Sequence, residues 1–531
     1  MFLNTVLFTS LAIVGSVARV CPDGRGDHDG LVDLGYARHV PTYTNTTTSG
    51  HNVTIYKNIR FANAPTGDLR FRRADTDLPH VDGVQRGDEP PGSRDCISSA
   101  PAYIPFPGIN GTTWGHEDCL FLDVYVPQGV KPGDNVPVLH FFYGSAYSFG
   151  SKEFLFSPMG LFENMFEQHK GRFIFVANNY RMGLSGFSYT EGDDMEANVG
   201  LFDCLVAARW TSKFIHKFGG DGRRITAAGQ SAGAGMLYYM TTLDGGKGEL
   251  PFQKLFISSP AAPPRRRVAD RQREQFDLLL NVTDCATLKC VRSLPEQAIL
   301  DASDKLVNQM PSTGGGGVLG PVIGYGPAPD GKSLPDLPLA QFYAGEFHEE
   351  LEGIIMGSMA YEGMGTSHDT DQPEYFPIMV RQIMPNASDE VVSTIQALYY
   401  HPETPAQLAW DWTTDAIFSC NSYNLANALP GKSRRYVMST PPATHGQDLW
   451  YFFYVDEEQT PLGEEGVGLA REFQTKLLDF VHGDDVAWPL YGSEKNILNI
   501  TDRFEETTWG PDLTKRCDTI NRFVLDPANG A

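Results

Sequence analysis

The stretch that most constrains this chain is Gly229-Gln230-Ser231-Ala232-Gly233. It follows the β-prone run Arg224-Ile225-Thr226-Ala227-Ala228 and leads into a predicted helix over residues 234–242. A Gly-x-Ser-x-Gly pentapeptide between strand and helix is the pattern of a very tight turn, with no room for side chains two before and two after the serine. Such a turn strains the serine backbone, lifts its hydroxyl above the sheet edge and aims the next N–H at the same point. Taken alone, the pentapeptide also describes an ordinary glycine-rich turn, so the flanks must decide.

Upstream lies Phe218-Gly219-Gly220-Asp221, and Ser231-Ala232-Gly233-Ala234 reads straight into the helix. This wider run resembles the type-B carboxylesterase/lipase family, which also contains the cholinesterases and the fungal lipases. Further family-like segments recur from about residue 55 to residue 525. Tyr56-Lys57-Asn58-Ile59-Arg60-Phe61, running on to Leu69-Arg70-Phe71, is similar to the family's early strand and Pro/Gly turn. Glu117-Asp118-Cys119-Leu120-Phe121-Leu122-Asp123 is similar to its second signature. The resemblance implies an α/β-hydrolase fold with a large, mostly parallel central sheet, flanking helices and long insertions, in one domain over residues 19–531.

The apolar pattern points the same way. Continuous apolar runs start at Val136, Phe173, Leu255 and Ile354, as buried strands require. They alternate with helical stretches, one opening at Asn198-Val199 and running through Trp210, which implies a sheet covered on both faces. Residues 270–350 look inserted, and the four glycines at 314–317 read as a flexible hairpin or hinge with no phosphate-loop pattern.

A formal net charge of −23, with only Arg265-Arg266-Arg267 as a short basic run, argues against a nucleic-acid partner. Residues 1–18 read as a signal peptide without a positive start: residues 7–17 are apolar, and Ser16-Val17-Ala18 is a small-residue cleavage site. No later stretch is long enough to span a bilayer, and Pro527-Ala528-Asn529-Gly530-Ala531 is no lipid-anchor tail. The expectation is a secreted protein with no stable membrane anchor. Six glycosylation sequons, at Asn45, Asn52, Asn110, Asn281, Asn386 and Asn499, and eight cysteines agree with that.

A serine hydroxyl needs a base, and the base an orienting carboxylate. In α/β-hydrolases they follow in the order nucleophile, acid, histidine. Ser231, Glu362 and His445 supply that order. Gly357-Ser358-Met359-Ala360-Tyr361-Glu362-Gly363 resembles the family's Gly-x-Asn-x-x-Glu-Gly, with Met359 in place of Asn. Asp330 and Asp369 compete for the acid role; Asp330 lies in a Pro-Asp-Gly resembling a non-catalytic turn of the family. His445-Gly446-Gln447-Asp448-Leu449 is close to His-Gly-x-Asp/Glu-Leu.

Tyr143-Gly144-Ser145-Ala146-Tyr147 stands where the family has His/Tyr-Gly-Gly-Gly-Phe. The resemblance implies backbone oxyanion donors at Ser145, Ala146 and Ala232, with two added Cβ atoms leaving the loop's conformation open. It also implies disulfides Cys96–Cys119, Cys285–Cys290 and Cys420–Cys517, leaving Cys21 and Cys204, the latter a free buried thiol. Tyr103, Phe106 and Trp114 lie in the first disulfide loop, a lid or a fixed wall; loop packing and a substrate wall both suit Phe106 and Trp114. Gln230 stands where cholinesterases have Glu, and no Trp matches their choline-binding position, so a choline ester is not expected.

The leading expectation is a carboxylic-ester hydrolase working through an acyl-enzyme on a small-molecule or lipid ester, with no metal or cofactor. The alternatives are a lipase acting on long-chain acylglycerols or sterol esters, a non-catalytic cholinesterase-like binding protein, and a peptidase with the same triad.

Overall fold

The long apolar runs become neighbouring strands of one sheet. The computed structural model describes residues 30–531 except 103, 105–107, 155, 169, 266–268, 310–323, 365, 368–372 and 401, and not the side chain of 271. Its large sheet has eleven strands among the described residues. In chain order these are β1 (Tyr43–Thr46), β2 (Asn52–Arg60), β3 (Phe121–Pro127), β4 (Val136–Phe142), β5 (Ile174–Asn178) and β6 (Gly220–Gln230). Then follow β7 (Lys254–Ser258), β8 (Gly353–Met359), β9 (Ser433–Met438), β10 (Asn496–Ile500) and β11 (Phe504–Thr508). Across the sheet the order is β11-β10-β9-β8-β7-β6-β4-β5-β3-β2-β1. The block from β5 to β10 is parallel throughout. The antiparallel pairs lie at the two ends of the sheet.

Every residue of β3 and β8 is buried, so both sheet faces are covered, as unbroken apolar strands demand. The helices α1 (Val199–Phe214) and α2 (Ala232–Met240) pack on β6. The helix α3 (Cys420–Ala428) packs on β8 and β9, and α4 (Gly463–His482) on β4. The last helix, α5 (Pro511–Leu525), lies against the turn that leads into α3. This is the α/β-hydrolase arrangement expected from the sequence. The helix after the pentapeptide starts at Ala232, two residues earlier than its composition suggested, because the turn consumes only Ser231.

Cys96–Cys119, Cys285–Cys290 and Cys420–Cys517 are bonded, and Cys204 is a fully buried free thiol in α1. Of the sequon asparagines, Asn52, Asn110, Asn281 and Asn386 are exposed. Asn45 on β1 and Asn499 on β10 are half-buried. The expected signal peptide, Cys21, Tyr103, Phe106, Arg266, Arg267, Asp369 and the glycines 314–317 lie outside the described residues. Among the described residues no helix is long and apolar enough to cross a membrane.

Candidate active site

Four of the parallel strands deliver the candidate residues from their carboxyl ends, where open α/β sheets place ligands. Ser231 follows β6 directly, with φ 56° and ψ −124°. Its neighbours explain why glycine flanks it. A Cβ on Gly229 would lie 2.7 Å from the carbonyl carbon of Gly233, and a Cβ on Gly233 only 2.0 Å from the carbonyl oxygen of Phe142 at the end of β4. The Ser231 N–H donates to the Ser258 carbonyl at 2.9 Å, and the Ser231 carbonyl accepts from the N–H groups of Ala261 (3.1 Å) and Gly235 (2.8 Å).

The three residues picked from the sequence meet in one line. His445 Nε2 lies 2.8 Å from Ser231 Oγ, and His445 Nδ1 lies 2.6 Å from Glu362 Oε2. Glu362 is fully buried, and its Oε1 accepts the Met359 N–H at 2.7 Å. That contact comes from backbone, so the departure from Asn at 359 leaves it intact. Asp330, the competing acid, accepts the N–H groups of Lys332 and Leu334 and so closes its own turn.

The loops carrying the acid and the histidine support each other. The Tyr361 N–H donates to the Ala443 carbonyl at 2.9 Å. The Phe418 ring packs 4.6 Å from the imidazole of His445, and Thr414 Oγ1 accepts the Gly363 N–H at 3.0 Å. Both contacts come from the π-helical turn Thr414–Ser419, which no sequence signal marked.

The acid of the His445 motif is a second buried carboxyl beside this line. Asp448 is buried and accepts hydrogen bonds from Ser258 Oγ and, at 3.4 Å, from the Tyr436 hydroxyl. Burial pushes it up to about 7, the negative charge of Glu362 adds to the rise, and His445 opposes it. The available signal was an acid three residues after His445, opening an otherwise apolar helical turn.

The loop after β4 keeps its first glycine for a steric reason: a Cβ on Gly144 would lie 2.8 Å from both the Gln230 carbonyl oxygen and Ser231 Cβ. Beyond it, Ser145, Ala146 and Tyr147 all have positive φ, at 85°, 53° and 60°. Among the described residues the N–H groups of Ser145 and Ala146 donate to no protein acceptor. Ser145 and Ala146 line the cavity above Ser231, and Ala232 follows Ser231 at the start of α2.

That cavity measures about 410 Å³. Ser231, His445 and Gln230 stand in its wall beside Phe141, Phe154, Phe156, Phe175, Phe418 and Phe453. Trp114 is not among the lining residues; it packs with Phe154 in a small satellite core under the first disulfide loop. Of its two sequence readings, loop packing is the one found.

The chain matches the model of the carboxylesterase family over residues 41–515. It is 31% identical to the carboxylesterase patB of Aspergillus clavatus, over 85% of this chain and 87% of that one. It is 26% identical to a secreted lipase of Arthroderma benhamiae, over 85% of this chain and 94% of the lipase. The crystal structure of Aspergillus niger EstA superposes with a TM-score of 0.80, covering 94% of this chain and 99% of that one at 22% identity, a likeness of fold.

Proposed function

The chain belongs to the carboxylesterase family and is a carboxylic-ester hydrolase, and on that premise we propose that it is a secreted serine esterase whose triad is Ser231, His445 and Glu362. The observation that carries this reading is the unbroken hydrogen-bonded line from Glu362 through His445 to Ser231, at 2.6 and 2.8 Å.

Ser231 Oγ attacks the ester carbonyl carbon while its proton passes to His445 Nε2. The carbonyl oxygen becomes an oxyanion, received by the N–H groups of Ser145, Ala146 and Ala232. Collapse breaks the bond to the alcohol oxygen, and His445 returns the proton to that oxygen. Water, deprotonated by His445, then attacks the acyl carbon; the bond to Ser231 Oγ breaks, His445 returns the proton to that oxygen, and the acid leaves. Glu362 keeps its charge throughout: Met359 fixes one oxygen, and the other holds Nδ1–H and stabilises the imidazolium.

We further read a single catalytic domain over residues 19–531 behind a signal peptide at 1–18, with glycans on the six sequons. Three disulfides and relatives named as secreted lipases support an extracellular location. The phenylalanine-rich cavity favours an apolar ester, from a small molecule or a lipid. Lipase action on long-chain acylglycerols is the second reading, supported by relatives of that name. No nucleic-acid partner suits a chain of net charge −23.

A fluorophosphonate probe tests the triad. One equivalent should attach, on the peptide holding Ser231, and p-nitrophenyl ester turnover should stop with it. Ser231→Ala should take no label and lose roughly a million-fold in kcat while keeping its Tm. Labelling of another serine, or more than a few per cent residual activity, would reject the assignment and favour a binding protein.

A further inference from the structure

We infer that Tyr147 is a positioning residue of this ester hydrolysis: through its hydroxyl it ties the oxyanion loop to the peptide of Ala261, which itself holds the carbonyl of Ser231. The inference rests on the proposed triad and oxyanion donors.

Three successive residues of the loop sit at positive φ without being glycine. L-residues adopt that conformation only where the surroundings impose it. On the side of β4, Gly144 is wedged against Gln230 and Ser231, and the Tyr180 hydroxyl donates to the Tyr143 carbonyl at 3.0 Å. On the far side the Ser145 carbonyl accepts the N–H groups of Ser148 (3.1 Å) and Phe149 (3.4 Å), Ser148 is bonded to Ser99, and Tyr147 adds two further ties. Its carbonyl accepts the Gly183 N–H at 2.7 Å, and its hydroxyl donates to the Ala261 carbonyl at 2.5 Å. The N–H of Ala261 donates in turn to the Ser231 carbonyl at 3.1 Å. One residue thus receives the loop on its oxygen and holds the nucleophile on its nitrogen.

The hydroxyl is built for. A Cβ on Gly235 in α2 would lie 2.0 Å from the Tyr147 oxygen, so glycine there leaves the phenol its place. Tyr147 is 3% exposed, and burial raises its pKa, so the phenol stays a hydrogen-bond donor across the neutral range. The sequence pattern gives the hydroxyl a reason. Where the resembled family has three glycines and Phe, this chain has Gly144-Ser145-Ala146-Tyr147, so two Cβ atoms that disfavour the loop conformation come with a hydroxyl that restrains it.

Tyr147→Phe keeps the ring and removes the tether. The expected result is a fall in kcat of about tenfold, below the hundredfold or more of losing an oxyanion donor outright, with KM unchanged within about twofold. Affinity for a trifluoromethyl ketone, which forms the oxyanion, should fall by the same factor, and affinity for the product alcohol should stay. A merely structural role would lower Tm without separating these two affinities. In a Ser145→Gly/Ala146→Gly background, Tyr147→Phe should cost less than about threefold, since glycines adopt the loop conformation freely. Unchanged kcat in Tyr147→Phe, or an equal loss in the glycine background, overturns the inference. Should Tyr147→Phe fail to fold alone but fold in the glycine background, ketone affinity there within about threefold of its own parent supports the tether, because the hydroxyl is then needed only where the loop carries Cβ atoms; failure to fold there too, or a tenfold loss, rejects it. Fluorophosphonate labelling of each variant separates this from the triad assignment, because a label that misses Ser231 defeats the triad, not the tether.

Discussion

Around Ser231 the geometry is set by atoms with no room to move, and around His445 by a second layer of structure drawn from far along the chain. On the serine side, β6 pairs in register with β4, so Gly229 lies opposite Phe142, and α2 leaves the turn so closely that Gly233 touches the end of β4. On the histidine side, the turn Thr414–Ser419 presses Phe418 on the imidazole and receives Gly363 on Thr414. That turn is itself tied to α5 by Arg516, whose Nε lies 2.8 Å from Asp415, and the first residue of α3 just after it by Cys420–Cys517. Tyr423 in α3 adds a hydrogen bond to Asp518 at 2.8 Å. A steric fit fails all at once, whereas a buttress weakens by degrees.

Gly233→Ala should therefore have the largest effect. Its new Cβ would meet the Phe142 carbonyl at 2.0 Å, so β4 and α2 must part. The expected cost exceeds about 4 kcal/mol, read as failure to accumulate folded protein or as a collapsed denaturation midpoint. Removing the buttress by Cys420→Ser/Cys517→Ser should cost about 2–5 kcal/mol, with Ser231 still taking the fluorophosphonate. A label lost entirely in that variant would break the comparison. Gly446→Ala sharpens it from beside His445: φ is +81° but the nearest atom, Gln230 Nε2, is 3.8 Å away. Chemical denaturation should show about 1 kcal/mol of loss, the cost of backbone conformation alone.

The remaining effect is a slope with pH. Asp448 stands at about 7 in the fold against an ordinary 3.8. Between those values the folded chain keeps a proton that the unfolded chain has released. Its contribution is thus full at low pH and is lost as pH rises through about 7. Asp415, raised to about 6, acts in the same sense, so Asp448→Asn should flatten part of the fall in Tm between about pH 5 and about pH 8. A slope unchanged by that substitution would detach Asp448 from the titration.

What could be read from the sequence divides along the same line. The tight turn, the strand runs and the short motifs around Ser231, Glu362 and His445 could be read because each depends on residues a few positions apart. The bonded cysteines were legible through resemblance, since their spacing alone fixes no pairing. Phe418, Thr414 and the burial of Asp448 were not legible, because tertiary packing alone brings them to the site. Met359 misled in a different way: it breaks the family pattern as a side chain, yet serves Glu362 with its N–H. Trp114 stayed ambiguous because an aromatic in a disulfide loop packs equally well inward or into a cavity.

The sheet ends where β1 and β11 have no further partner among the described residues. Unpaired strand edges are templates on which another chain can add. Asn45 lies on β1 itself, Asn52 opens the neighbouring β2, and Asn499 lies on β10 beside the opposite edge. Sugars at these three positions would stand as hydrated bulk along both borders. Their consequence would then be colloidal: enzymatic deglycosylation would leave turnover as it was and lower the concentration at which the protein begins to associate edge to edge.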